Sequence, residues 1–243
     1  MTASTASVPD PRTGLPIGPE VASHAARRPE RTTLAGRYVT LAPLDPERHA
    51  AELFAETHGE GEGAMWQYLG DGPFADLSAF TASLRAKAAS ADPLFFAILD
   101  AASGRALGYQ TLMRIDAPNR VVEVGNIVYG RSLQRTPGAT EAQYLFARHV
   151  FDDLGYRRYE WKCNACNAPS QRAARRFGFS YEGLFRQHMI VKGRNRDTAW
   201  FSMLDHEWPA RRAAFEAWLN PDNFDADGRQ RRSLSDFAGA PLT

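Results

Sequence analysis

Three apolar, strand-length segments separated by short turns constrain this chain more than any other feature. Residues 94–99, 106–115 and 121–129 are joined by turns at 102–105 and 116–120. These turns are too short for a crossover, so the strands form an antiparallel meander. Such a sheet needs helices over its faces, and the flanking sequence supplies them. Residues 37–44 read as a strand that ends at Asp45 and Pro46, a helix cap and a first-turn proline, ahead of Ala50, Leu53 and Phe54 at helical spacing. Leu77, Phe80 and Leu84 predict a second helix that ends before Pro93. After the meander, a helix is expected over about 139–154, with Ala142, Leu145, Phe146 and Val150 on one stripe. Residues 158–163 read as a strand, 169–177 as a short helix, 184–191 and 198–204 as a hairpin across Gly193, Arg194 and Asn195, and 207–219 as a closing helix. This order describes an α/β domain on a mixed sheet.

A length of 243 residues suits one such domain, expected over 36–219. Residues 1–35 hold five of the 15 prolines, no aromatic residue and the cluster Arg27, Arg28 and Arg31, so a disordered tail is expected there. Residues 220–243 read as a polar tail docked on the domain by Phe224, Leu234 and Phe237. Lys plus Arg number 29 and Asp plus Glu 28, which leaves no global field to draw in nucleic acid or an anionic membrane. The longest apolar runs fall far short of the roughly 20 residues that span a bilayer. The start MTASTASVPDPRTG lacks the basic residues and apolar core of a secretory signal, so a cytoplasmic location is expected.

Chemistry concentrates after the meander. Residues 133–142 lie between a strand and an amphipathic helix, where unpaired N–H groups and the helix dipole make a cradle for a pyrophosphate, with Gly138 allowing close approach. The same residues also read as a plain helix start, Thr136 capping and Pro137 leading. Both readings stand on the loop alone.

Arg135-x-x-Gly138-x-Thr140 resembles the (Gln/Arg)-x-x-Gly-x-(Gly/Ala) loop of the GNAT N-acetyltransferases, departing from it at Thr140. Asn167-Ala168-Pro169-Ser170, then Ala173 to Phe179 with Gly178-Phe179, and Glu182-Gly183 are similar to the Asn-x-x-Ser…Gly-Phe…Glu-Gly run of the RimJ/RimL-type branch. The segment from Gly193 to Thr198, with Glu207-Trp208, extends the likeness, which covers about residues 37–208. The resemblance implies a GNAT-like domain, a mixed and mostly antiparallel central sheet flanked by helices. It implies acetyl-CoA as cosubstrate, no metal, and a primary amine as acceptor, either a protein N-terminus or a small molecule, which attacks the thioester directly in a ternary complex.

It also implies roles for residues. Arg135, Thr136, Gly138, Ala139 and Thr140 would hold the pyrophosphate, and Asn167 the pantetheine arm in the gap between the strands at 121–129 and 158–163. A backbone N–H at Ile127 or Val128 would meet the oxyanion. Many relatives protonate the leaving thiolate with a Tyr that is Ala174 here, which leaves Ser170 as the replacement; a first-turn serine can equally satisfy a backbone group. Glu123, the only acid in its strand, would act as a base through water or pair with a neighbouring cation. Asn126 and Tyr129 are further candidates near the acceptor. Trp66, Tyr68 and Phe74 either wall the acceptor site or form a buried aromatic cluster. Arg172, with Arg175 and Arg176, either meets the ribose phosphate or is a solvated helix face.

Two other classes compete. Cys163-x-x-Cys166 between a strand and a helix fits a thiol-disulfide oxidoreductase, although Asn167, Ala168 and Pro169 part the second cysteine from the helix. The six histidines show no paired spacing for a zinc site. A non-catalytic acyl-CoA-binding module is the other alternative, and a homodimer is compatible with the sequence.

Overall fold

Helix starts fall where short polar side chains can take up first-turn N–H groups. The computed structural model describes residues 7–22, 24–59 and 61–237. In it, Asp45 accepts from the N–H groups of Glu47 and Arg48, ending a strand and opening α1 (Pro46–Thr57). Asp76 caps α2 (Leu77–Ala89), Thr136 caps α3 (Pro137–Arg148) and Asn167 caps α4 (Ala168–Arg176). α5 (Trp208–Leu219) and a short α6 (Leu234–Phe237) follow. The stripe expected to run as one helix to 154 changes pitch at His149–Asp153, which forms a π turn.

Among the described residues ten strands accompany these helices: β1 (Val8–Pro9), β2 (Pro16–Ile17), β3 (Leu34–Ala35), β4 (Val39–Pro43), β5 (Leu94–Asp100), β6 (Ala106–Asp116), β7 (Val121–Tyr129), β8 (Arg158–Asn164), β9 (Ser180–Val191) and β10 (Arg194–Leu204). β1 and β2 pair only with each other. The rest form one eight-stranded sheet in the order β3-β4-β5-β6-β7-β8-β10-β9. Every neighbour is antiparallel except β7 and β8, which are parallel and linked through α3. The mixed, mostly antiparallel sheet flanked by helices is the architecture expected. β9 starts four residues before the expected strand because its first residues are largely exposed and show no apolar pattern.

Two cores cover the sheet. One packs Phe96, Phe146, Tyr159, Trp161, Phe201 and Phe215 beneath α3 and α5, and the other packs Leu53, Trp66, Phe80, Phe95 and Tyr109 beneath α1 and α2. Glu141 in the second turn of α3 locks the helix to the opening of β4, since its carboxylate accepts from the N–H groups of Arg37, Tyr38 and Val39 at 2.8, 2.6 and 2.8 Å. Gly36 has no room for a side chain there, because a Cβ would lie 2.5 Å from Glu141 Oε2.

The expected tail needs correction along its second half. Ala26 is buried, with its N–H on Ala117 O at 3.0 Å. The Arg27 guanidinium donates to Asp153 O, Arg31 donates to Ala88 O and Ser90 O at 2.9 and 2.7 Å, and β3 pairs with β4. Arginines that read as a solvated cluster therefore cap carbonyls at helix ends. Among the described residues, residues 7–22 make hydrogen bonds only with one another, and residues 1–6 lie outside the described residues. Deleting residues 1–22 is expected to leave Tm within about two degrees of the parent in a thermal melt, whereas deletion through Ala35 should lower it by ~5 °C or more.

The C-terminal segment is held by buried Asn223. Its Nδ2 donates to Trp218 O and Arg232 O, both at 3.1 Å, and its Oδ1 accepts from Arg232 N–H at 3.0 Å. Phe224 packs edge-on against Trp218, and a bridge from Phe224 to Gln230 closes a hairpin. Residues 238–243 lie outside the described residues. Among the described residues no helix is long and apolar enough to cross a membrane.

Candidate active site

β7 and β8 stay in register only from Val121 opposite Arg158 to Val124 opposite Trp161. Beyond that point they part. On its other side β7 carries a bulge, since Tyr109 faces Val128 and Thr111 faces Gly125, which leaves Asn126 and Ile127 opposite Gln110 alone. Asn126 takes φ +47°, a left-handed conformation that asparagine tolerates. A bulge withdraws its extra residue from the ladder, so the parting strand carries backbone groups without a sheet partner. The result is a cleft of ≈ 1080 Å³ lined by residues 123–129 and 161–164, the start of α3 and one face of α4.

At one end of the cleft, Arg135 at φ +61° turns the chain into α3. The Thr136 hydroxyl accepts from Ala139 N–H at 3.3 Å, and Pro137 has no N–H to place. Gly138 N–H finds no acceptor among the described residues, which leaves an orphan donor at the positive end of the helix dipole. Arg135, Thr136, Pro137, Ala139 and Thr140 line the cleft there. Arg176 of α4 joins them, donating to Thr140 Oγ1 at 3.0 Å and lying over the Trp218 ring. Phe224, Gly228, Arg229 and Gln230 of the C-terminal hairpin line the same space.

In the middle of the cleft stands Ser170. Its N–H goes to Asn167 Oδ1 at 3.1 Å, and its Oγ accepts from Trp161 Nε1 at 3.0 Å, so the hydroxyl proton points to another acceptor, for which Cys163 is at hand. Cys163 lies beside it. Burial pushes that thiol up, and the hydrogen bond to Ser170 pulls it partly back.

Glu123 faces the cleft as the inner end of a buried chain of alternating charge. Its Oε2 sits 3.0 Å from Lys162 Nζ and 3.2 Å from Arg114 Nη1. Lys162, with a side chain only 4% exposed, also reaches Glu160 Oε2 at 2.6 Å and stands 3.7 Å from the centre of the Trp200 ring. Arg158 then joins Glu160 at 2.7 Å to Glu182, which Ser202 completes. Burial raises the pKa of Glu123, against the pull of Lys162 and Arg114. The arrangement offers an anion cradle, a narrow channel where two strands part, a hydroxyl donor and a carboxylate whose pKa is raised.

Several expected residues lie together here: Glu123, Asn126, Ile127, Val128, Arg135, Thr136, Ala139, Thr140, Asn167 and Ser170 all line the cleft, as do Tyr68 and Tyr129. Four expectations change. Gly138 faces inward, where a Cβ would lie 2.8 Å from Val39 Cγ1, so its missing side chain serves packing rather than a phosphate. Trp66 is fully buried, with Nε1 on Thr57 O at 3.0 Å, and with Phe74 belongs to the second core; Met65, Leu69 and Gly70 line the cleft from that loop instead. Arg172 is exposed and does not line the cleft, and Arg176, one turn on, takes its place. The Tyr129 hydroxyl is spent on Gln110 Oε1 at 2.9 Å and Gln143 Nε2 at 2.6 Å, and burial raises its pKa. The sequence reading missed Lys162, Arg114, Arg196, Met113 and Met189, all of which line the cleft. Alternation along β8 puts Lys162 on the face of Glu160, a signal that was present in the sequence.

The two cysteines differ in their surroundings. Cys163 is buried, Cys166 is exposed on the following turn, both are free, and burial disfavours the Cys163 thiolate. Among the described residues no three His, Cys, Asp or Glu side chains are placed to hold a metal ion.

Residues 39–180 match the family described as acetyltransferase (GNAT) domain. A GCN5-related N-acetyltransferase from Brucella melitensis is 52% identical, with a TM-score of 0.87, over 88% of this chain and 97% of its own. A probable GNAT-family acetyltransferase from Chromobacterium violaceum is 41% identical, with a TM-score of 0.75, over 81% and 98%. The microcin C7 self-immunity acetyltransferase MccE, solved in complex with acetyl-CoA and AMP, shares the fold at 20% identity and a TM-score of 0.61, over 70% and 93%. No curated protein sequence is detectably similar.

Proposed function

The chain belongs to the GNAT acetyltransferases, and from that premise we propose that it moves the acetyl group of acetyl-CoA to a primary amine, in the manner of the RimJ/RimL branch, by direct attack in a ternary complex. The observation that carries this reading is the parting of β7 and β8 beside a capped helix start with an orphan N–H.

The residues fit the cosubstrate. The start of α3, from Arg135 to Thr140, would hold the diphosphate, and Arg176 with the hairpin at 224–230 would flank the nucleotide. Asn167 spends its Oδ1 on Ser170 N–H, which leaves its Nδ2 for a pantetheine carbonyl. Backbone N–H groups around Ile127 and Val128, beside the bulge, are the donors for charge that develops on the acyl oxygen. Bound there, acetyl-CoA supplies the thioester: the amine nitrogen bonds to the acyl carbon, and the carbon–sulfur bond breaks with its electron pair on sulfur. Glu123 takes the proton that the attacking amine loses, directly or through water, while Ser170 passes its hydroxyl proton to the departing thiolate and recovers one from water, so that the net transfer is one proton from amine to thiol.

Release of free thiol from acetyl-CoA, followed with and without a panel of amines, tests this function. Acceptor-dependent release is the expected result. Binding of acetyl-CoA without release from any amine overturns it in favour of a module that only holds the thioester.

A further inference from the structure

The charges in the middle of the cleft do not balance. Arg114, Lys162 and Arg196 line it, and Glu123 is the one carboxylate among its lining residues. Lys162 divides itself between Glu123 and Glu160, Arg158 already occupies Glu160, and Arg114 leans on Glu123. Arg196 is left over. Its Nε donates to Thr198 Oγ1 at 3.2 Å, and no carboxylate lies within ion-pair distance of its guanidinium among the described residues. It is half-buried, and burial lowers its pKa. A half-buried guanidinium with no carboxylate at ion-pair distance gains from an anion that completes it. The planar fork of arginine suits the two oxygens of a carboxylate or phosphate.

The surroundings say which ligand that anion belongs to. Arg196 stands on β10, the neighbour of β8 with its Lys162 and Cys163, whereas Arg176 bonds Thr140 at the start of α3, where Arg135 also lines the cleft. Across the ladder from Arg196 stands Met189, and Met65, Leu69, Met113 and Val191 line the same cleft, an apolar and adaptable wall. That wall is held in place. Lys192, in the turn between β9 and β10, donates to Trp66 O at 2.9 Å and Gly72 O at 2.7 Å, and the Tyr68 hydroxyl donates to Cys166 O at 3.1 Å. The site thus presents an apolar wall, a free guanidinium and Glu123 around one space.

Resting on the acetyl-transfer reading, we propose that the acceptor is a small amine that also carries an anionic group, carboxylate or phosphate, beside an apolar portion, and that Arg196 reads the anion. The anion orients the molecule so that its amine meets Glu123, and the methionines accommodate the rest.

The test compares matched acceptors. Thiol release is measured for L-leucine, L-leucinamide and 3-methylbutylamine, and for 2-aminoethyl phosphate against ethanolamine, with the parent, Arg196→Gln and Arg196→Lys. The parent is expected to favour at least one anionic acceptor over its neutral match by about tenfold or more in kcat/KM. Arg196→Gln should bring that ratio close to one, and Arg196→Lys should restore part of it. The leucine and phosphate arms identify which anion is read. Calorimetric titration of N-acetyl-L-leucine and N-acetyl-L-leucinamide into CoA-saturated protein reads the same discrimination without turnover, so a failure of transfer and a failure of anion recognition are told apart. A parent that treats charged and neutral members alike in both assays, or a preference that Arg196→Gln leaves in place, overturns the proposal.

Discussion

Replacing Ala139 with aspartate is expected to weaken acetyl-CoA binding at least ~100-fold while leaving Tm within a few degrees of the parent. Ala139 is the third residue of α3 and lines the cleft. Ala139 is buried at the edge of the first core, so a carboxylate there costs some desolvation that the helix dipole partly offsets, and the fold loses a few degrees at most. The diphosphate, however, would meet like charge in a partly buried site, where two unit charges about 4 Å apart repel by about 4 kcal/mol at an effective dielectric near 20. A hundredfold loss needs about 2.7 kcal/mol, so the effect exceeds what is asked of it. Titration calorimetry with acetyl-CoA measures it, and affinity within about threefold of the parent would reduce the α3 start to an ordinary helix cap. The same carboxylate one residue earlier should behave differently. Gly138→Asp drives a side chain into Val39 and should lower Tm instead of acting on binding alone.

The second large effect separates proton donor from proton acceptor. Ser170→Ala should lower kcat roughly 10- to 100-fold without weakening acetyl-CoA binding, since it removes the hydroxyl donor and leaves the Asn167 cap in place. Glu123→Gln should depend on the acceptor. An α-amine titrates near 7.7–8.0 and is partly free at neutral pH, whereas a lysine-like amine near 10.4 needs its proton removed. The loss should therefore be small with the first and large with the second. The pH profile carries the sign. Burial raises the pKa of Glu123, only its ionised form accepts a proton, and so kcat/KM should climb as pH rises through that displaced pKa and level off above it. In Glu123→Gln that rise should disappear with an alkylamine acceptor. Full turnover in Ser170→Ala would make the serine a helix-start residue. A silent Glu123→Gln with every acceptor would make the glutamate a structural partner of Lys162 and Arg114.

Much of the architecture was legible because strand and helix periods are local. The meander, the caps at Asp45 and Thr136 and the stripe of α3 declare themselves within a few residues. The parting of β7 and β8 does not, because it depends on where a parallel pair stops and on a bulge that only the register with β6 reveals. Side-chain direction was the other gap. Gly138 looked like a ligand-facing glycine in a phosphate-loop pattern, yet Val39, about a hundred residues earlier in the chain, is what excludes a side chain there. Trp66 and Tyr68 are two residues apart in one loop, but the indole is taken into the core by Thr57 while the phenol reaches across to Cys166. Lys162 and Arg196 were overlooked because a lone cation in a strand looks like surface until its neighbours are known, and the neighbours come from three other strands.

The central claim is that an amine attacks acetyl-CoA directly within this cleft, with no acetyl group resting on the protein. Intact-mass analysis of the protein, quenched during turnover with acetyl-CoA and a working amine, tests it most directly when free thiol and acetylated amine are counted in the same samples. The account predicts unmodified protein at every time point and one thiol released per acetylated amine. Protein heavier by one acetyl group, formed and lost at the rate of turnover and mapped to Ser170, Cys163 or Cys166, would contradict it.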